Sequence, residues 1–486
     1  MIKKAILLLV VIIAALAAVM TFKTVTNTPI ITTEKPVTLA KINLPAATMR
    51  LSKAVQIKTI SASLDAPVAA SAFNDLHALI DKSFPMIAKN LRKEVIGGHS
   101  LLYTWQGSDP SLKPAMLMGH MDVVPVEMGT ENKWQHPPFS GKIADGAVWG
   151  RGTLDDKLSV FAILEAAEHQ LNQGLKPKRT LLFAFGHDEE ILGDNGAGMI
   201  ADHLKQQGVK LAFTLDEGMV VLEGIMPGIE KPIALIALAE KGFLTLELTA
   251  TATGGHSSLP PKATAVGKIA KAIVDLEQNR LPASLQSPAS EMLETLAPYM
   301  PTPLKAVISN RWLLDPILVS QLAKSKTTNA MVRTTTAATI VSGGTKDNVL
   351  PSTAKATVNF RILPGSNIDE VVKHVEDTIN NPDVSITIKQ GNNPSRVSNS
   401  DSKNYAIVAK TIREVFPEVI IAPGLMLAGS DSKHYESIAE DNYRFVPLRF
   451  GPEDLSRVHG TNERILIDNY REIIQFYSRL MENSGG

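Results

Sequence analysis

The sequence predicts an α/β protein whose main domain carries a mixed, largely parallel sheet flanked by helices, with a smaller α+β domain inserted into it. Three observations carry this reading. Short apolar runs alternate with amphipathic segments from Ser100 to Leu215, as buried parallel strands alternate with their covering helices. Near Lys241 the pattern changes to period-two alternation, the mark of strands with one solvated face. At 486 residues the chain is also too long for one compact core.

The elements follow in order. Met1-Ile2-Lys3-Lys4 precedes an apolar run from Ala5 to Met20, extended to Phe22 before Lys23. A short basic head before such a run reads as a secretion signal or a signal anchor, marginally long enough to span a bilayer. We assign it residues 1–23. Either form puts the bulk of the chain outside the cytoplasm, on the periplasmic, lumenal or secreted side, because the basic end stays inside. Residues 24–50, rich in Thr, Pro and Lys, read as a linker. The main domain takes 51–240 and 398–486. In it, Asn74 to Phe84, Leu158 to Gln170 and Gly198 to Gln207 have helical periodicity. Ser100 to Gln106, Ala115 to Met118, Thr180 to Phe185 and Leu211 to Leu215 read as strands. Tyr405 to Phe416 and Asp468 to Asn483 supply its closing helices. The inserted domain takes 241–397. Phe243 to Thr251 and Ala356 to Ile362 alternate as strands, Ala263 to Gln278 is helical, and Leu293 to Ser325 is a helical insertion. Gly391-Asn392-Asn393-Pro394-Ser395 reads as a hinge.

Composition excludes several functions. Lys+Arg and Asp+Glu are both 49, so no charge excess argues for a nucleic-acid partner. Cysteine is absent, which removes disulfides, thiolate metal sites and cysteine nucleophiles. Any metal must be held by nitrogen and oxygen.

Such ligands are concentrated where the strands end. Met118-Gly119-His120-Met121-Asp122, Gly150-Arg151-Gly152-Thr153-Leu154-Asp155-Asp156-Lys157, His187-Asp188-Glu189-Glu190 and Thr214-Leu215-Asp216-Glu217 each follow or border an apolar run. In open α/β sheets, ligand sites gather beyond the carboxyl ends of the strands. Histidine and carboxylate without thiolate suit a pair of divalent ions. Asp122, two residues from His120, can hold the imidazole proton opposite the metal. Asp155-Asp156 offers a carboxylate able to bridge two ions, or a helix cap. Glu189-Glu190 fits one ligand beside one general base. His459 lies in a Gly- and Asn-containing segment whose spacing cannot place it.

These segments, with Gly254-Gly255-His256-Ser257-Ser258 and Val458-His459-Gly460, resemble the co-catalytic di-zinc peptidases that include carboxypeptidase S, aminoacylase and glutamate carboxypeptidases. The Asp-Asp-Lys and Leu-Asp-Glu-Gly forms and the helical insertion resemble the carboxypeptidase S branch most. The resemblance implies a zinc-peptidase catalytic domain and a ferredoxin-like lid. It implies that His120 and Asp216 hold one Zn²⁺, that Glu190 and His459 hold the other, that the Asp155 carboxylate bridges them, and that the Asp155–Asp156 peptide is cis. Mn²⁺ or Co²⁺ are alternative occupants. It further implies Glu189 as general base, Asp122 as the group orienting His120, and His256 as oxyanion stabiliser. Asn348 and Arg361 would engage a substrate carboxylate, and Gly429 and Ser430 would line the pocket. The implied reaction is hydrolysis of the amide next to an amino acid with a free carboxylate, in short peptides or in N-acyl, including fatty acyl, amino acids. A non-catalytic, anchored metal-binding protein is the remaining alternative. Membrane contact is expected through the N-terminal segment alone. Relatives that dimerise through the lid imply a homodimer in which His256 serves the partner, unless the helical insertion blocks that interface.

Overall fold

The computed structural model describes residues 2–29 and 34–485, which form two units; Met1 and residues 30–33, inside the expected leader and linker, lie outside the described residues. One unit comprises 29–238, 398–424 and 430–486, the other 1–28, 239–397 and 425–429.

The larger unit is organised by an eight-stranded sheet in the order Arg92–Ile96, Ser100–Trp105, Leu181–Gly186, Ala115–His120, Leu211–Leu222, Ala439–Phe450, Ile233–Glu240, Ile420–Met426. Its four central strands, from Leu181–Gly186 to Ala439–Phe450, pair in parallel, and Arg92–Ile96 and Ser100–Trp105 extend it in antiparallel fashion. Ala115–His120 and Leu181–Gly186 are buried throughout, as parallel strands covered on both faces must be. Met116, Met118, Leu182 and Ala184 pack against Ile200 and Leu204 of the helix Ala197–Gln206. The helices Lys157–Asn172 and Ile467–Gly485 pack against each other. A small sheet pairs Arg464–Leu466, Ala147–Trp149 and Lys142–Ala144 in that order.

Several expectations are corrected. The helix Leu44–Val55 begins inside the stretch read as linker. Pro45 looks like loop composition, but it sits in the first turn, where its missing N–H costs nothing, and Asn43 caps the turn from Ala46 N at 3.3 Å. The strand expected to end at Leu215 runs on to Leu222, with Asp216 and Glu217 inside it. Gly391 and Asn392, read as hinge, end the strand Val384–Asn392.

The smaller unit holds an antiparallel four-stranded sheet in the order Thr335–Gly343, Thr353–Ile362, Gly242–Thr251, Val384–Asn392. Leu244, Leu246, Leu248, Val358 and Phe360 point to one face and bury against Ile269 and Leu276 of the helix Ala265–Gln278 and Val371 and Val375 of the helix Ile368–Ile379. The helical insertion consists of Ala289–Leu296, Thr302–Ser309 and Arg311–Leu322. The N-terminal helix Ile2–Thr26 has mean hydropathy 3.0 over its most apolar window and none of that window is buried. Its 25 residues make it about 37 Å long, more than the ~30 Å hydrocarbon core of a bilayer.

Candidate metal centre

Parallel pairing of neighbouring strands puts their carboxyl ends on one edge, and the candidate ligands gather there. His120 is the last residue of Ala115–His120 and lies in register with Gly186, so His187–Glu190 leave the sheet beside it. His120 is buried. Its Nδ1 donates to Asp122 Oδ1 at 3.2 Å, and its Nε2 faces Asp155 Oδ1 at 2.8 Å. The other Asp155 oxygen, Oδ2, faces His459 Nε2 at 3.0 Å, and His459 Nε2 also faces Glu190 Oε2 at 3.3 Å. Each Asp155 oxygen thus meets a different histidine, the arrangement a bridging carboxylate needs. The candidate donor atoms of His120, Asp155 and Glu190 all lie within 4.8 Å of one another.

Asp122 reaches further than the orientation of His120. Its Oδ1 also accepts the backbone N–H of Glu189 and its Oδ2 that of Glu190, both at 3.2 Å. One buried carboxylate therefore ties the imidazole to the turn carrying the two glutamates. Asp216 is buried but stands apart from the tight group. Its Oδ1 accepts the N–H of Glu217 at 3.0 Å, and its Oδ2 accepts that of Ser432 at 2.8 Å. Ser430 is fully buried, with its hydroxyl against Ser432 Oγ at 2.7 Å and bonded to Asp216. Asp156 caps the helix Lys157–Asn172 through Ser159 N at 3.3 Å, and the Asp155–Asp156 peptide is cis.

The electrostatics show which partners this donor set suits. Burial alone would lower the His120 pKa, but Asp122 and Asp155 outweigh it and raise the ring well above its ordinary value. Asp155 and Glu190 hydrogen bonds push His459 up to about 10. Burial, then Asp431, Glu190 and Asp155, drive Glu189 well above the usual carboxylate range; burial, then Asp155 and Glu189, do the same to Glu217. Asp156 Oδ2 and both Asp431 oxygens are buried without a hydrogen-bond partner. So many anions in one buried place call for cations. An all-nitrogen-and-oxygen set with a carboxylate between two histidines fits divalent zinc, manganese or cobalt.

Sequence reading missed the frame beneath the site. Glu463 is fully buried; its Oε1 accepts Gly152 N and Leu154 N, both at 2.8 Å, and its Oε2 meets Arg151 Nη1 at 2.6 Å. Arg151 Nη2 donates to the carbonyls of His459 and Gly460 at 3.0 and 3.2 Å. The pair thus joins the loop of Asp155 to the loop of His459, with the Arg464–Leu466 and Ala147–Trp149 strands paired behind it. Gly152, at φ +89°, leaves no room for a side chain: a Cβ would lie 2.9 Å from Val123 Cγ1. Lys157 is also buried and donates to the carbonyls of Ala54 and Ile57. Nothing local in the sequence marks these pairings, because Arg151 and Glu463 are 312 residues apart.

The remaining candidates lie in the smaller unit. His256 is exposed. Its Nδ1 accepts Ser258 N at 3.2 Å, so the neutral ring carries its proton on Nε2. Asn348 is adjacent, its carbonyl accepting Ser257 N at 3.1 Å beside the pairing of Gly255–His256 with Val349–Leu350. Arg361 is elsewhere. It pairs with Phe243, whereas the chain leaves for His256 from Thr251, at the far end of the same strand. Eight steps along an antiparallel strand put about 27 Å between those ends. The Arg361 guanidinium lies 5.9 Å from the Phe243 ring centroid. Gly429 belongs to this unit by chain segment and has open space where a Cβ would be.

The model for peptidase family M20/M25/M40 matches residues 116–483. An N-fatty-acyl-amino acid synthase/hydrolase of Xenopus tropicalis is 43% identical, over 89% of this chain and 85% of its own length. A probable carboxypeptidase S-like protein of Dictyostelium discoideum is 41% identical, over 92% of this chain and 86% of its own. Among solved structures, an M20 family metallo-carboxypeptidase of Sulfolobus solfataricus superimposes with a TM-score of 0.67 at 17% identity, covering 90% of this chain and 99% of its own.

Proposed function

The chain belongs to peptidase family M20/M25/M40, a family of metal-dependent hydrolases, and from that membership we propose that it cleaves the amide bond next to an amino acid with a free carboxylate. The observation that carries the proposal is Asp155, whose two oxygens face His120 and His459 separately. In this reading His120, Asp155, Asp216, Glu190 and His459 would hold two zinc ions. Bound divalent ions supply Lewis-acid activation of water and of the scissile carbonyl.

The chain's own groups do the rest. Glu189 takes a proton from the attacking water and returns it to the leaving amine. Asp122 keeps the proton of His120 on Nδ1, leaving Nε2 free for ligation, and sets the Glu189–Glu190 turn. His256, with Nδ1 already accepting from Ser258, offers Nε2–H to the developing oxyanion. Arg361 engages the substrate carboxylate, as a guanidinium fork can, and Asn348, which lies beside His256, would join it from a partner chain.

The roughly 27 Å of strand between the Arg361 and His256 ends bears on assembly. One substrate cannot touch both from a single chain, so we read the enzyme as a homodimer in which His256 serves the partner's site. The edge strand Thr335–Gly343, with Ile340 and Val341 exposed, supports pairing through this unit.

The acyl side of the substrate divides the two readings. The 43% identity to an N-fatty-acyl-amino acid synthase/hydrolase favours a long-chain acyl amino acid, and the 41% identity to a carboxypeptidase S-like protein favours a short peptide. Competition between a glycyl dipeptide and a long-chain acyl amino acid decides between them by kcat/KM. The proposal as a whole is tested by Glu189→Gln, which should lower turnover about 10²–10⁴-fold while metal content is kept. Wild-type turnover in that variant would remove Glu189 as the base. We further read Ile2–Thr26 as an uncleaved anchor that holds the remaining chain on the extracytoplasmic side.

A further inference from the structure

We propose that the helix Arg311–Leu322 lies in the outer interface of the same bilayer that the N-terminal helix spans, giving the smaller unit a second, peripheral seat in the lipid. The proposal rests on the reading of Ile2–Thr26 as an uncleaved anchor.

The anchor fixes the depth. Lys3 and Lys4 mark one end, the apolar run from Ala5 to Met20 crosses the hydrocarbon, and Lys23 marks the other interface. At that second end the helix is held to the insertion. Asn310, fully buried, donates to the Met20 carbonyl at 3.1 Å and to Thr24 Oγ1 at 3.2 Å, and Asn27 Nδ2 donates to Ser309 Oγ at 2.8 Å. Lys23 Nζ sits 5.8 Å from the centroid of the Trp312 ring. Trp312 therefore lies at the level of Lys23, the headgroup level at which tryptophan and lysine collect in membrane proteins.

From Trp312 the helix presents an apolar face to the outside. Trp312 is 52% exposed, Leu313 43% and Ile317 57%, with Pro316 exposed beside them. At 100° per residue these four fall within a 140° arc that holds no charged side chain and one polar one, Ser320. Leu318, on the opposite face, is buried. Leu304 of the preceding helix Thr302–Ser309 and Phe22 of the anchor are also exposed, at 46% and 69%. A soluble helix would carry charged groups on that arc. One fixed to a membrane span at headgroup depth would bury such a face about 5–10 Å into the headgroup and acyl boundary.

The test uses the full chain in phosphatidylcholine vesicles. Trp105, Trp134 and Trp149 are at most 8% exposed, so the fluorescence lost in Trp312→Phe reports Trp312. The proposal expects that component to be quenched by lipids with a doxyl group high on the acyl chain and shielded from aqueous iodide. Leu313→Asp with Ile317→Asp, both at exposed sites, should reverse the two results severalfold. Co-flotation with the vesicles is scored in parallel. A chain that does not float refutes the anchor and the seat with it. A chain that floats while iodide quenches Trp312 and doxyl lipid does not refutes the seat alone. Shielding from both quenchers would mean that a second copy covers the face, and would equally overturn the proposal.

Discussion

Glu463→Gln is the sharpest probe of how the centre is held together. The substitution keeps the shape of a fully buried side chain and removes its charge. The amide oxygen can still accept Gly152 N and Leu154 N, but the amide nitrogen then opposes Arg151 Nη1 across a contact of 2.6 Å. A hydrogen bond to a charged group is worth about 1.5–3 kcal/mol, and removing one member of a buried ion pair costs about 3–5 kcal/mol. The two ranges meet at about 3 kcal/mol, and Arg151 keeps its bonds to the His459 and Gly460 carbonyls. We therefore expect a loss of about 3 kcal/mol. Urea unfolding of the metal-free protein, followed through the buried Trp105, Trp134 and Trp149, measures it. Trp134 is well placed, since the Arg151 guanidinium lies 5.5 Å from its ring centroid. Metal retention should weaken in parallel, because the pair joins the Asp155 and His459 loops. Adding Arg151→Met should cost less than the sum of the single changes, since no charge is then left unpaired. A loss below about 0.5 kcal/mol with unchanged metal retention would refute the bracing role.

Three further predictions follow from other parts of the molecule. Arg361→Ala should raise KM for substrates with a free carboxylate far more than for their amides; equal losses would remove Arg361 from carboxylate recognition. His256→Ala and Glu189→Gln, each inactive alone, should recover about a quarter of wild-type activity when subunits are exchanged at equal amounts, because half the dimers are mixed and each has one intact site. No recovery after demonstrated exchange would place His256 in its own chain's site. Lys241 is buried, and burial lowers its pKa to about 8. The unfolded lysine, at about 10.5, binds more protons between those values, so stability should rise with pH from 8 to 10.5 by up to about 3 kcal/mol. The rise is read as the difference from Lys241→Met, and a pH-independent difference would contradict it.

Much of the site was legible because buried parallel strands appear in sequence as uninterrupted apolar runs, and their polar ends then stand out. His120 and Glu190 stand at or beyond the ends of such strands, and they meet Asp155, which follows the short antiparallel strand Ala147–Trp149. The same signal failed where polar residues lie inside a strand. Asp216 and Glu217 interrupt Leu211–Leu222, and Ala439–Phe450 went unread because it carries Asp441, Asn442 and Arg444. Asn442 is buried against Thr214 at 2.6 Å, a partner 228 residues away that no local pattern reveals. Pro45 hid one helix, and Pro316 lies within another. Register was equally hidden. That His256 and Arg361 lie toward opposite ends of the strand Gly242–Thr251 follows from pairing Phe243 with Arg361, which neither residue's neighbours encode.

The proposed centre depends on Asp155 lying between two ions. Equilibrium dialysis of the full chain against zinc, with the bound metal counted per chain, tests it most directly. Two tightly bound ions are predicted for the wild type, and no more than one for Asp155→Asn. One ion in the wild type, or two held undiminished by Asp155→Asn, would contradict it.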